Sequence, residues 1–176
     1  MKASKLNESR LSQASVRRYL NYDERTGELF WKARVDAAAG WNTRWTGKKA
    51  GFTDKRGYVN IDIHQVTYLA HRLVWVYVYG EWPEEQVDHI DGNPSNNALV
   101  NLRKATVAEN QWNSGARKRN KVGVKNIMKR RNSYEVSFLK WRTVIYREYF
   151  PSLDLAIAVR NLLAPNVYGN FDRKAQ

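Results

Sequence analysis

The feature that most constrains this chain is a run of seven residues, Asp91-Gly92-Asn93-Pro94-Ser95-Asn96-Asn97, set between two short segments that carry apolar residues. Gly, Pro, Asn, Asp and Ser favour or fix turn geometry, so the run interrupts any regular element. Val87-Asp88-His89-Ile90 before it reads as the end of a short strand, and Leu99 to Lys104 after it as the returning strand. A loop of this type is held by its own side-chain hydrogen bonds. Thr106-Val107-Ala108-Glu109 then matches a capping box, which starts a helix and puts Asn110 in its first or second turn. Strand, loop, strand and helix together form a compact way to bring Asp88, His89, Asn101 and Asn110 to one point.

These residue types suit the hydrolysis of a phosphodiester. That reaction needs a base for the attacking water and a cation to neutralise charge on the phosphate and the leaving oxygen. An imidazole, with a reference pKa of ~6.5, can accept a proton near neutral pH, which makes His89 the candidate base. The oxygens of Asp88 and Asn110 are hard ligands suited to Mg²⁺ or Mn²⁺. Asn101 is placed to accept the other imidazole N–H and fix the tautomer. The plainer alternative is that Asp88, Asn101 and Asn110 only build a turn and cap helices.

Charge points to the partner. Thirty Lys and Arg against 17 Asp and Glu give +13, the imbalance that an acidic polymer serves; nucleic acid leads, with a membrane surface behind it. Seven Trp and ten Tyr supply anchors for the core and faces for bases or sugars. The absence of Cys excludes disulfides and cysteine-ligated zinc. The amino terminus lacks an apolar signal region and no run approaches ~18 apolar residues, so a cytoplasmic protein with no membrane partner and no small-molecule cofactor is expected. At 176 residues the chain allows one domain or two small ones.

Ahead of the central block, residues 9 to 20 suit a short amphipathic helix, and Thr26-Gly27 marks a tight hairpin between aromatic-rich arms. Residues 36 to 51 read as a loop with Trp41, Arg44, Trp45, Lys48 and Lys49. A second hairpin turns near His64-Gln65 between Val59-Ile63 and Val66-Leu69. From Leu73 to Tyr79 the β-branched and aromatic content leans to strand, although Leu73, Val76 and Tyr77 also share a helical face. His71 is either a ligand or a histidine hydrogen-bonded within the scaffold.

Residues 114 to 148 hold eleven Lys or Arg against two Glu, a net of +9. Arg117, Lys118, Arg119 and Lys121 form a basic connector that either tracks a phosphate backbone or is simply solvated. Strands are expected over 123–129, 134–140 and 143–150, then a helix capped by Ser152 that buries Leu155, Ala156, Val159, Leu162 and Leu163.

The blocks Ala70-His71-Arg72-Leu73-Val74-Trp75, Val87 to Asn93, Asn101-Leu102-Arg103 with Ala105-Thr106, and Glu109-Asn110 with Asn113 resemble the HNH endonuclease superfamily. The resemblance is to phage and intron-encoded homing endonucleases whose final His is replaced by Asn. It implies a ββα-metal fold, His89 as general base, Asn101 orienting it, Asp88 and Asn110 as metal ligands, and a helix at 70 to 80. The carboxy-terminal segment is similar to AP2-type DNA-binding domains, on Val122-Gly123-Val124, Tyr149-Phe150-Pro151-Ser152 and Tyr168-Gly169-Asn170-Phe171. By that similarity Arg130, Arg131, Arg142 and Arg147 contact phosphates or guanines.

The resulting expectation is an α+β chain: amino-terminal hairpins and an HNH core over 1–113, a basic linker over 114–122, and a three-stranded sheet with a helix over 123–176. It would act as a metal-dependent DNA endonuclease, homing-type, as a monomer or weak dimer, in a bacterial host cell if phage-encoded. The rival readings are a non-cleaving DNA-binding regulator on the same scaffold and an RNA-directed nuclease.

Overall fold

A computed structural model describes residue 8 and residues 10–172; the expectation for the extreme amino terminus, at residues 1–7, lies outside them. The chain divides into two compact units, Met1–Ala105 and Thr106–Gln176. The boundary expected at 113/114 falls inside the second unit. The physical reason is Trp112, which packs against the cluster of Ile127, Val136, Phe138, Ala164 and Tyr168.

In the amino-terminal unit, α1 (Gln13–Tyr19) is capped by Ser12, whose hydroxyl accepts from the Ser15 amide at 3.2 Å. The hairpin of β1 (Leu20–Asp23) and β2 (Glu28–Trp31) follows as expected. Residues 36 to 51 contain a short helix, α2 (Trp41–Trp45), within the expected loop. An antiparallel sheet then runs in the order β3 (Phe52–Thr53), β4 (Val59–Ile63), β5 (Val66–Leu69).

Residues Ala70–Tyr79 form a helix, α3, against the propensity of Leu73 to Tyr79 for strand and in line with the family resemblance. Burial explains the outcome. Leu73, Val74 and Val76 are fully buried against α1, β4 and β5, each contributing on the order of 1.5–3 kcal/mol. Helix propensity opposes them by only about 0.7 kcal/mol per residue at most. Gln13 and Arg17 of α1 donate to the Tyr77 carbonyl, both at 3.0 Å, and so hold the two helices together. β6 (Gln86–His89) and β7 (Leu102–Ala105) pair antiparallel across the Asn-rich loop, with a 3₁₀ turn at Leu99–Asn101.

In the carboxy-terminal unit, α4 (Val107–Asn113) opens on the expected capping box. The Thr106 amide donates to Glu109 Oε2 at 2.8 Å and the Glu109 amide to the Thr106 hydroxyl at 3.3 Å. At the other end Lys125 Nζ donates to the Gln111 and Trp112 carbonyls at 2.7 and 2.6 Å, and burial pushes its pKa down to about 8. The basic connector is folded, because Asn120 donates to the Val124 and Ile127 carbonyls at 2.7 and 2.9 Å. β8 (Ile127–Lys129), β9 (Tyr134–Lys140) and β10 (Thr143–Phe150) form an antiparallel sheet with β9 central.

Ser152 caps the final helix, α5 (Leu153–Tyr168), as expected. Of the expected stripe Ala156 is buried and Leu163 packs on the core, but Leu155 and Leu162 are exposed, and Arg160, Ala164 and Tyr168 complete the buried face. A fully buried arginine displaces the leucine stripe: Arg160 donates to both oxygens of Asp172, with Nη1 3.0 Å from Oδ2, so its charge is paired inside the core. Among the described residues no helix is long and apolar enough to cross a membrane.

Gly27, in the β1–β2 turn, has φ of 73°, and a Cβ there would lie 2.1 Å from the Ala98 amide nitrogen. The turn is thus seated directly on the backbone of the Asn-rich loop. Gly27→Ala is expected to destabilise the amino-terminal unit by roughly 2 kcal/mol or more. Urea denaturation reads this as a lowered midpoint; an unchanged midpoint would disprove the close seating.

Candidate functional site

The site grows from the β6–β7 ladder, in which Asp88 stands opposite Arg103 and His89 opposite Leu102. Asp88 is buried. Arg103 Nε donates to its Oδ2 at 2.9 Å, and a second guanidinium nitrogen lies 2.8 Å from the same oxygen. His89 is only 5% exposed, and its Nε2 lies 3.0 Å from Oδ1 of Asn97. His71, reaching in from α3, meets the His89 ring edge-on with centroids 4.9 Å apart, and the Tyr58 ring lies 6.0 Å from His89.

His71 is buried, and among the described residues its Nδ1 has no hydrogen-bond partner. Burial first, then the neighbouring His89 and Arg72, push its pKa down to about 3. It is therefore a neutral ring packed against His89, which favours the scaffold reading of His71 over the ligand reading.

The orienting contact expected of Asn101 is made by Asn97 instead. Asn101 Nδ2 donates to Asp91 Oδ1 at 2.9 Å and to the Asn96 carbonyl at 2.8 Å, and its Oδ1 accepts from the Asp91 amide at 3.0 Å. Its backbone carbonyl accepts from the Ile90 amide at 2.8 Å. These bonds close the turn, so Asn101 staples the loop, and Nε2 of the imidazole is met by Asn97. Burial alone would raise the Asp91 carboxyl, but hydrogen bonds from the Asn93 amide, Asn96 and Asn101 outweigh it and hold it below the usual carboxylate range. Asn110 lies one residue past the capping-box Glu109 in α4, and so belongs to the carboxy-terminal unit; Asp88, His89 and Asn101 belong to the amino-terminal one.

The donor chemistry can be tested against the ion it would take. Among the described residues no group of three His, Cys, Asp or Glu could hold a metal, the chain has no Cys, and His89 Nε2 is engaged by Asn97. The buried carboxylate of Asp88 is the kind of hard oxygen donor that an ion keeping its waters, such as Mg²⁺ or Mn²⁺, takes.

The basic residues Arg117, Lys118, Arg119, Lys121, Arg131 and Arg142 are exposed. Arg142 shares a hairpin tip with Trp141, both at positive φ, 69° and 52°. Arg130 and Arg147 converge on Glu135, whose Oε2 accepts from Arg130 Nε at 2.6 Å and whose Oε1 lies 3.2 Å from Arg147 Nε. Sequence reasoning missed Asn97, Arg103 and Glu135. Asn97 sits in a run of turn formers indistinguishable by type from Asn96, and Glu135 shows only as an isolated acid in a basic stretch.

Residues 68–112 match the HNH endonuclease family, a span that includes His71, Asp88, His89, Asn97, Asn101 and Asn110. An uncharacterised HNH endonuclease of Acanthamoeba polyphaga mimivirus is 32% identical over 123 residues, 68% of this chain and 63% of that protein. Protein 3.8 of Escherichia phage T7 is 47% identical over 58 residues, 32% of this chain and 48% of its own. The chain thus spans less than two thirds of either relative. A solved structure titled "DNA binding and cleavage by the HNH homing endonuclease I-HmuI" is 20% identical, with 85% of each chain covered and a TM-score of 0.39. Residues 68–112 are the part of the chain that is similar to the HNH endonuclease family.

Because folded His71 stays neutral down to about pH 3 while the unfolded chain protonates near 6.5, the unfolded state binds the extra proton between those values. Stability should therefore fall as pH drops below about 6.5, by up to roughly 1.4 kcal/mol per pH unit, until about pH 3. His71→Phe, which keeps the ring contacts, is expected to flatten this acid limb in thermal melts. An acid limb of equal slope in the variant would show that His71 does not carry it.

Proposed function

We propose that the chain is a metal-dependent DNA endonuclease that hydrolyses phosphodiester bonds, of the homing type. The observation that carries this reading is Asp88 beside His89 at the end of β6, enclosed by an internally bonded Asn loop within the segment that matches HNH endonucleases. His89 takes the proton of the attacking water. The divalent ion, Mg²⁺ or Mn²⁺, when bound neutralises charge on the phosphate and on the leaving oxygen. Asp88 supplies a protein oxygen to it, and Asn110 a second on the sequence resemblance alone.

The carboxy-terminal unit contributes affinity. Its basic connector and the open face of β8–β10 present Arg117, Lys118, Arg119, Lys121, Arg130, Arg131, Arg142 and Arg147 to duplex DNA, in the manner of an AP2-type sheet.

One observation favours a second reading, a DNA-binding regulator that does not cleave. Arg103 engages Asp88 Oδ2, the carboxylate assigned to the metal. Incubating supercoiled DNA with the protein and with His89→Ala, in Mg²⁺, Mn²⁺ or EDTA, separates the two. Metal-dependent nicking that His89→Ala abolishes is expected; tight binding without nicking by either protein identifies the regulator.

Affinity should fall steeply with salt, each neutralised phosphate adding about −0.9 to the log-log slope. Arg142→Ala is expected to reduce that slope by about 0.9 if its guanidinium meets one phosphate. A fluorescence anisotropy titration across salt concentrations measures it.

A further inference from the structure

We infer that Asn97, held in place by Tyr22, is the residue that orients His89 and makes Nδ1 its basic nitrogen. The chemical use of this contact rests on the nuclease reading above; the contact itself does not.

The direction of the hydrogen bond follows from the amide. Asn97 Oδ1 lies 3.0 Å from His89 Nε2, and the other end of the same amide, Nδ2, faces the Ser95 carbonyl at 3.4 Å. A carbonyl opposite Nδ2 requires a donor there, so the oxygen faces the imidazole. An oxygen can only accept, hence Nε2 carries the proton. In a neutral imidazole the lone pair then resides on Nδ1. Proton transfer from water to Nδ1 gives an imidazolium that keeps its Nε2–H on Asn97, while the hydroxide oxygen bonds to phosphorus and the leaving oxygen departs with the bonding pair and takes a proton from solvent.

Asn97 is itself built in. It is 3% exposed, and its backbone carbonyl accepts from the Tyr22 hydroxyl at 3.1 Å. The same hydroxyl oxygen accepts from the Leu99 amide at 2.9 Å, so one buried phenol spans the backbone on both sides of Ala98. Gly27, at the turn of the same hairpin, lies against Asn97 and Ala98 from outside. The first hairpin of the chain therefore positions the base of the central motif, 67 residues downstream of Tyr22. Both Tyr22 and Asn97 are positioning residues, acting through His89.

The tautomer can be read without cleavage. In the intact, metal-free protein labelled with ¹⁵N-histidine, two-bond ¹H–¹⁵N correlation at alkaline pH distinguishes the two neutral forms. With only three histidines, a His64→Gln protein simplifies assignment. His89 is expected in the Nε2–H form, and Asn97→Asp, which retains an acceptor oxygen, should keep it. Asn97→Ala should shift the His89 Nε2–H resonance, whose proton loses its acceptor, and slow single-turnover nicking roughly 10- to 100-fold at unchanged DNA affinity. Tyr22→Phe should give a smaller loss in the same rate with the fold retained. A His89 in the Nδ1–H form in the unsubstituted protein overturns the inference, as does an Asn97→Ala protein with an unmoved His89 Nε2–H resonance. A protein that shows the Nε2–H form but never nicks DNA upholds the assignment and refutes the nuclease reading alone.

Discussion

A loop rich in turn formers has no ladder to pair its backbone, and the bonds its own side chains make shape the amino-terminal unit. That loop runs from Asp91 to Asn97. Asn101 closes it from one end, Asp91 accepts from the Asn93 amide and from Asn96, and Ser95 donates to the Gly57 carbonyl at 2.6 Å. Each such bond nets about 1 kcal/mol, and together they select one loop conformation. That single conformation carries Asn97 to His89.

The surrounding hairpins serve the same end. The β1–β2 turn sits on Asn97 and Ala98, and the turn before β4 brings Gly57 against Pro94, where a Cβ would approach within 2.8 Å. The sheet and α3 supply the apolar mass behind these contacts, with Ile61, Ile63, Leu73 and Val74 in the core. A neutral His71 packed on His89 adds no positive charge beside it. Rigid backing of this kind is what holds a catalytic side chain to a usable geometry.

The carboxy-terminal unit faces the opposite difficulty, an excess of like charge. Glu135, 3% exposed, lies between Arg130 and Arg147 and offsets their mutual repulsion. Both guanidinium-bearing side chains stay about half exposed, 47% and 50%, so the pairing orders them without removing them from the surface. In the interior Asp172 answers Arg160 in the same way. Lys125 and Trp112 bind α4 into this unit, which is why the helix bearing Asn110 folds with the carboxy-terminal sheet.

Local chemistry was legible wherever neighbours in sequence decide it. The Thr106-Glu109 box, the Thr26-Gly27 and His64-Gln65 turns, the Ser152 cap and the strands of both hairpins are short-range devices, and each is where the residues placed it. The sequence by itself also determined the charge, the absence of cysteine ligands and the central block of Asp88, His89, Asn101 and Asn110. Tertiary structure decided what depends on who meets whom across the chain. Burial turned a β-prone segment into α3, a buried Arg160 rotated the inner face of α5, and Trp112 moved the unit boundary to Thr106. It also decided which of several chemically identical asparagines touches His89. Residue type sets what a side chain can bond, but only the folded backbone sets which partner lies within 3.0 Å, and here that partner is Asn97.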